Sequence, residues 1–323
     1  MIGLVVAIIV VGGATRLTNS GLSITEWAPV SGALPPLSQE AWIAEFERYK
    51  QIPEFQAEHP TMDLAGFRII YFWEWAHRQL GRIIGLVYAV PFFILLLSKR
   101  LPTGRGLALF SVLILIGIQG AIGWWMVYSG LQEGMVAVSQ YRLATHLGMA
   151  FIILGVLTWL FLDARRDWRR EFGKGRGWLL PLFLGLTYVQ IIAGAFVAGT
   201  GSGKTYNTWP LMDGSFVPSG YFFMSPFWRN IFENAAAIQF NHRLLAYVLI
   251  VLFVVIAVRL KSSSNLRVPL WILGALLVWQ VLLGIWTLLA VAPLNLSLLH
   301  QFSSVLVFLA TVTLVYRWKR YGI

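Results

Sequence analysis

Eight apolar stretches with almost no charged residues restrict this chain to one environment. A bilayer core needs about 20 apolar residues per helix, whereas membrane strands alternate in polarity over about ten residues. The composition agrees, with 58% hydrophobic and 12% charged residues against about 25% charged in soluble domains. The sequence therefore predicts an all-α integral membrane protein with eight transmembrane helices, at 2–15, 67–97, 106–128, 139–162, 178–199, 234–258, 268–290 and 294–316.

Basic residues gather in the loops on one side of these spans. Three loops, at 98–105, 163–177 and 259–267, and the end of the chain after 316 carry 15 of the 25 Lys and Arg residues. The positive-inside rule places that side, and with it both termini, in the cytoplasm. The net charge of +11 is thus a topology signal and predicts no nucleic-acid partner.

The short first span lacks the charged start and cleavage site of a signal peptide, so we expect the true start upstream of Met1. With no targeting peptide, a bacterial inner membrane is favoured over a mitochondrial one.

The chain contains no cysteine, which excludes disulfides, iron–sulfur clusters and cysteine nucleophiles. There is no Walker motif, no dinucleotide-binding glycine pattern after a strand and no HExxH. Histidine is therefore the residue type that could bind a metal through a side-chain nitrogen.

The sequence repeats itself. Gly12–Pro36 and Gly194–Pro218 align without a gap at an offset of 182, and Gln119, Gly123 and Trp125 recur 161 residues later as Gln280, Gly284 and Trp286. We predict two tandem, pseudo-symmetric four-helix bundles, 1–170 and 178–323, related by an axis along the membrane normal. We expect Gly21 and Gly32, with their counterparts Gly203 and Gly214, to shape external loops.

Four histidines, His77, His146, His242 and His300, lie at similar depth on the even-numbered spans. An ionisable residue at that depth is a candidate functional site. The residue four positions after each is Gly, Ala, Ala or Ser, which leaves room for a flat macrocycle but also for close helix packing. Paired imidazoles complete the axial shell of a porphyrin iron and under-coordinate a bare ion, so haem ligation is favoured over buried hydrogen bonding. We expect His59, before Pro60, to be solvated and idle.

The two predicted halves differ beside the first histidine of each. Glu74 precedes His77 by three residues, whereas Gln239 precedes His242. A carboxylate next to a haem can move protons and an amide cannot, so the first half is predicted to be catalytic and the second to hold a permanent haem. The following arginines fit haem propionates, although Arg78 also lies at the i, i+4 spacing for an ion pair with Glu74. The candidate propionate contacts are Arg78, Arg82 and Arg243, with Arg142 nearby.

These motifs resemble the haem A synthase family over nearly the whole chain. The resemblance rests on Gly12-Gly-Ala-Thr-Arg-Leu-Thr-Asn-Ser-Gly21, on Glu74-x-x-His77-Arg78-x-x-Gly81-Arg82 and on the three further histidines. Without cysteines in the first external loop, the chain is similar to the branch found in proteobacteria and mitochondria. The resemblance implies oxidation of the C8 methyl group of haem O to a formyl group, giving haem A for cytochrome oxidase. His77 and His146 would then bind the substrate iron, Glu74 would be catalytic, and His242 and His300 would ligate a haem b cofactor.

The resemblance also implies partners, namely haem O synthase as donor and an unidentified electron acceptor or donor, and the sequence leaves a homo-oligomer open. Two other readings stay open. A di-haem electron-transfer cytochrome b also uses histidine pairs on membrane helices, but usually places its haems near opposite faces of the bilayer. A secondary transporter also has repeats, but more often with helices broken at mid-membrane.

Overall fold

The computed structural model describes residues 1–28, 30–164 and 177–321. In these ranges the regular structure is helical, and the β pairing recorded there is an isolated bridge between Met212 and Ser215. The six basic residues of the predicted 163–177 loop lie outside the described residues. The α-helices are α1 Ile2–Leu17, α2 Gln39–Lys50, α3 Pro53–Glu58, α4 Leu64–Leu97, α5 Gly106–Gly130, α6 Gln140–Ala164, α7 Leu179–Thr200, α8 Arg229–Glu233, α9 Ala235–Leu260, α10 Ser264–Leu289 and α11 Leu294–Tyr321.

Seven of the described helices are long and apolar enough to cross a membrane, which confirms the all-α, multi-span prediction. They follow the predicted spans closely. The largest difference is at the last span, predicted to end at 316 and extending to Tyr321. Helix α1 has 16 residues, or about 24 Å at 1.5 Å per residue, which is shorter than a bilayer core of about 30 Å. The eighth crossing and the cytoplasmic termini therefore stay predictions.

Three helices lie outside the predicted spans, in the two long segments 18–63 and 201–234. Helix α2 turns Trp42, Phe46 and Tyr49 toward Phe67 and Tyr71 of α4, at the spacing of an amphipathic helix. This packing explains why α4 begins at Leu64 rather than at 67. The Asp63 carboxylate caps α4 by accepting a hydrogen bond from the Gly66 N–H at 2.8 Å.

The environment of His59 differs from the expectation. It is half-buried, and its Nδ1 lies 2.7 Å from the hydroxyl oxygen of Tyr49. The imidazole ring of His59 therefore packs with helices α2 and α3. Its hydrogen bond with Tyr49 offsets the free-energy cost of removing the ring from water.

By its internal contacts the chain divides into two units, Met1–Ile153 and Leu154–Ile323. In the first, α1 and α2 pack on α4, and α4 packs on α5. In the second, α7 packs on α9 and α11, and α10 packs on α11, around a cluster that includes Phe183, Leu266, Leu273 and Leu314. The division falls inside α6, so the boundary at 170–178 remains a prediction.

Candidate functional site

Each of the four membrane histidines faces a glycine on another helix. The histidines lie on α4, α6, α9 and α11 and are partly buried. An added Cβ would lie 3.1 Å from His77 at Gly12, 2.9 Å from His146 at Gly123, 3.3 Å from His242 at Gly194 and 2.9 Å from His300 at Gly284. These are the glycines of the two sequence repeats, Gly12 with Gly194 and Gly123 with Gly284. Their missing side chains leave room for the imidazole rings, so these four repeated glycines shape the site.

In the first unit, two histidines have the spacing of a metal-bridged pair. The ring centroids of His77 and His146 are 6.2 Å apart, with the ring planes at 81°. An imidazole nitrogen binds a transition metal at about 2 Å, so two imidazoles on opposite sides of one iron have centroids about 6 Å apart. The centroid separation of the pair is therefore that expected of two histidines bound to one iron.

The available ligand residues also favour a haem over a metal ion bound by protein side chains alone. Among the described residues, no group of three or more His, Cys, Asp or Glu side chains is placed to hold a metal ion. Most protein sites for non-haem iron, copper or zinc use at least three protein ligands. A porphyrin supplies four nitrogens of its own, so paired histidines are sufficient for haem.

Glu74 is held by donors from the loop that follows α1. Its side chain is 3% exposed and lies 2.6 Å from Nη2 of Arg78. Its Oε2 accepts hydrogen bonds from the Ser23 hydroxyl and the Ile24 N–H, both at 2.8 Å. The carboxylate is thus neutralised and fixed in orientation, one turn of α4 before His77.

Arg78 joins this carboxylate to the external loop. Besides Glu74, its guanidinium donates to the carbonyl oxygens of Ile24 at 2.8 Å and Glu26 at 3.1 Å. The ion pair considered as the alternative role for Arg78 is therefore present, while a contact with a propionate stays a prediction. Arg82, one turn on, donates to the Ala28 carbonyl at 2.9 Å.

The second unit repeats this arrangement with a neutral amide. Arg243 donates to Gln239 Oε1 at 2.8 Å and to the carbonyl oxygens of Tyr206 at 2.7 Å and Thr208 at 2.9 Å. Residues 206 and 208 are Ile24 and Glu26 shifted by 182, the offset of the sequence repeat. Gln239 Nε2 donates to the Ser202 carbonyl at 2.8 Å. An arginine that bonds the loop carbonyls is common to both units, whereas the carboxylate of Glu74 is found in the first unit and is replaced by an amide in the second.

Three glutamines lie against histidines and were not predicted as site residues. Gln119, Gln190 and Gln280 each donate from the side-chain amide to the backbone carbonyl of the facing histidine, at 3.1, 3.1 and 3.2 Å. Gln119 and Gln280 were visible in the sequence as members of the repeat. A polar residue four positions before a repeated glycine, on the same helix face, was the available signal.

Comparison with known proteins finds relatives that cover nearly the whole chain. A sequence model of the COX15-CtaA family, described as cytochrome oxidase assembly protein, matches residues 1–312. A Maricaulis maris protein named Heme A synthase is 50% identical over 320 residues, covering 98% of this chain and 93% of its own. Proteins of the same name from Dinoroseobacter shibae and Paracoccus denitrificans are 47% and 45% identical, covering 98% and 99% of this chain and 84% and 85% of their own.

Proposed function

The chain belongs to the cytochrome oxidase assembly family whose relatives are named Heme A synthase, and we propose that it oxidises the C8 methyl group of haem O to a formyl group. It is a multi-pass protein of the bacterial inner membrane. The observation that carries the proposal is that each of four membrane histidines faces a glycine, and that two of them, His77 and His146, lie together beside a buried carboxylate.

The first unit is the proposed substrate site. His77 and His146 would bind the iron of haem O from opposite faces, as their 6.2 Å separation allows. Haem O carries a farnesyl tail, so a site between membrane helices suits a substrate that arrives through lipid. Haem O synthase is the proposed donor. Arg78 and Arg82 follow His77 on α4 by one and five residues, and their positive charge there favours the propionates.

Glu74 is the proposed proton acceptor. With water as the source of the formyl oxygen, each oxidation step at the methyl carbon releases protons together with electrons, and a buried carboxylate near the reacting group can take a proton. Arg78, Ser23 and Ile24 keep this carboxylate in one orientation. Gln239, at the corresponding place in the second unit, has no basic oxygen for this task. This difference supports chemistry in the first unit.

The second unit is the proposed cofactor site. His242 and His300 would hold haem b, with Arg243 near its propionates. Bound there, haem b would supply one-electron redox chemistry toward an electron acceptor outside this chain. The residues themselves position the group: Gly194 and Gly284 leave room for the imidazole rings of His242 and His300. The neutral Gln239 stands three residues before His242, where the first unit has Glu74.

The test is pigment analysis of the protein purified from cells that also make haem O. We expect haem b together with haem O, its hydroxylated form or haem A, identified by chromatography and mass spectrometry. Haem b without the others would favour an electron-transfer cytochrome, and absence of haem would contradict the proposal.

A variant series assigns the roles. Glu74→Gln should keep haem b and form no haem A, whereas Glu45→Gln, at an ion pair on the exposed face of α2, should keep both. Retained haem b shows that the variant is folded. Haem A formed by Glu74→Gln at the rate of the unmodified protein would exclude Glu74 as the proton acceptor.

A further inference from the structure

The three glutamines that face histidines share one arrangement. Each lies four residues before a histidine-facing glycine, so that glutamine and glycine occupy the same helix face. The amide nitrogen that donates to the histidine carbonyl is also close to a ring nitrogen: 3.2 Å from His146 Nδ1 for Gln119, 3.4 Å from His242 Nε2 for Gln190 and 3.3 Å from His300 Nδ1 for Gln280. Each side chain is thus anchored at the backbone beside an imidazole.

The oxygen atom of each glutamine side chain lacks a hydrogen-bond donor among the described residues. The Oε1 atoms of Gln119, Gln190 and Gln280 are buried and accept no hydrogen bond from any described residue. A buried acceptor without a donor is unfavourable. The Nδ1 atom of His242 is likewise buried and without a partner in the described chain.

Iron ligation supplies the missing donor. A histidine that binds a metal through one ring nitrogen carries a proton on the other, and that N–H usually donates to a nearby oxygen, which fixes the ring orientation and raises the basicity of the ligand. The unsatisfied Oε1 belongs to the amide that lies against the ring in each case, and a turn of that amide would offer it to the ring N–H as an acceptor of this kind.

The fourth histidine has no such neighbour. At the repeat offset of 182, the position of Gln190 corresponds to Ile8. The Ile8 side chain reaches toward Gly81, whose added Cβ would lie 3.8 Å from Ile8 Cδ1, and it can neither donate nor accept a hydrogen bond. The helix facing His77 therefore offers no side-chain acceptor at this position.

We propose that Gln119, Gln190 and Gln280 are positioning residues that hold His146, His242 and His300 as firm iron ligands, and that Ile8 leaves His77 as the weak one. This inference rests on the proposed function. A weak ligand on one face suits a haem that must bind as substrate and leave as product, whereas two firm ligands suit a haem that stays.

Gln280→Leu in the haem-loaded protein tests the firm ligands. Loss of a group that supports a metal ligand costs about 10- to 100-fold in metal affinity. We expect haem b to transfer to excess apomyoglobin 10- to 100-fold faster and its reduction potential to rise, because the imidazole loses basicity. Gln280→Glu retains an acceptor and should restore slow release with a lowered potential. Gln132→Leu, at an exposed amide bonded to the Tyr128 carbonyl, is the matched control.

Ile8→Gln tests the weak ligand. We expect haem O and haem A to leave about tenfold more slowly, with release of haem b unchanged, while Ile8→Leu should behave as the unmodified protein. Unchanged release and potential in Gln280→Leu would overturn the positioning role, and unchanged release in Ile8→Gln would overturn the assignment of His77. An unmodified protein without haem would contradict the proposed function as well, whereas normal haem content with unaffected variants would contradict this inference and not the proposed function.

Discussion

Replacing Gly284 with alanine places a Cβ 2.9 Å from Cε1 of His300. Carbon atoms in favourable contact lie about 3.5–4.0 Å apart, so the ring must retreat by at least about 0.6 Å. Metal–ligand distances tolerate only about 0.2 Å. The ring therefore cannot both clear the new methyl group and keep its bond to an iron in the same place.

The cost follows from the tight packing. Inserting one carbon into a filled site costs about 1–3 kcal/mol, and each 1.4 kcal/mol is about tenfold in affinity. We expect Gly284→Ala to weaken haem b binding by about 5- to 150-fold, measured by haem titration of the purified protein with pyridine haemochrome quantification. Gly194→Ala, with its Cβ 3.3 Å from His242, should cost less.

Gly185→Ala is the control, because a Cβ there meets nothing within 4 Å. It should bind haem b as the unmodified protein does. If Gly284→Ala binds haem b as tightly as Gly185→Ala, the glycine faces have no role in holding the histidines for iron, and the reasoning from the repeat is refuted.

Two further predictions concern charges in the first unit. Burial, reinforced by the negative charge of Glu74, raises the pKa of Glu54 from 4.5 to about 8, so its contribution to stability is full below pH 4.5 and is lost as pH rises to about 8; Glu54→Gln should flatten the fall in melting temperature over that range, and an unaltered pH profile would argue against a neutral Glu54. Arg78→Met leaves the buried Glu74 carboxylate without its ion pair and should cost about 3–5 kcal/mol, whereas Arg243→Met leaves the neutral Gln239 and should cost about 1–3 kcal/mol; equal losses of melting temperature would contradict this account.

The long helices were predictable because one physical constraint dominates them. In a bilayer every backbone polar group must be satisfied within the segment, so hydropathy and length locate the helix. The same signal is weak for α2, which is only half apolar and depends on packing against the start of α4. The spacing of Trp42, Phe46 and Tyr49 was readable, but its partner surface on Phe67 and Tyr71 was not.

The site was partly predictable. Depth and periodicity single out the four histidines, and the repeat singles out Gly12, Gly123, Gly194 and Gly284. What each glycine faces depends on how two helices are rotated against each other, which apolar sequences of similar composition do not specify. His59 shows the converse, since its contact with Tyr49 depends on two short helices that hydropathy does not reveal.

The loops around Glu74 and Gln239 also bear on how the two halves of the sequence diverged. Glutamate and glutamine differ only by an oxygen atom and an NH₂ group, so exchanging Glu74 and Gln239 looks like a small change. The surroundings oppose this exchange, because the first loop directs the Ser23 hydroxyl and the Ile24 N–H at Glu74, while the second directs the Ser202 carbonyl at Gln239. A carboxylate at position 239 would meet an oxygen, and an amide at position 74 would meet donors. Each loop therefore favours the side chain that it now contacts, so exchanging Glu74 or Gln239 alone leaves the new side chain mismatched to its loop.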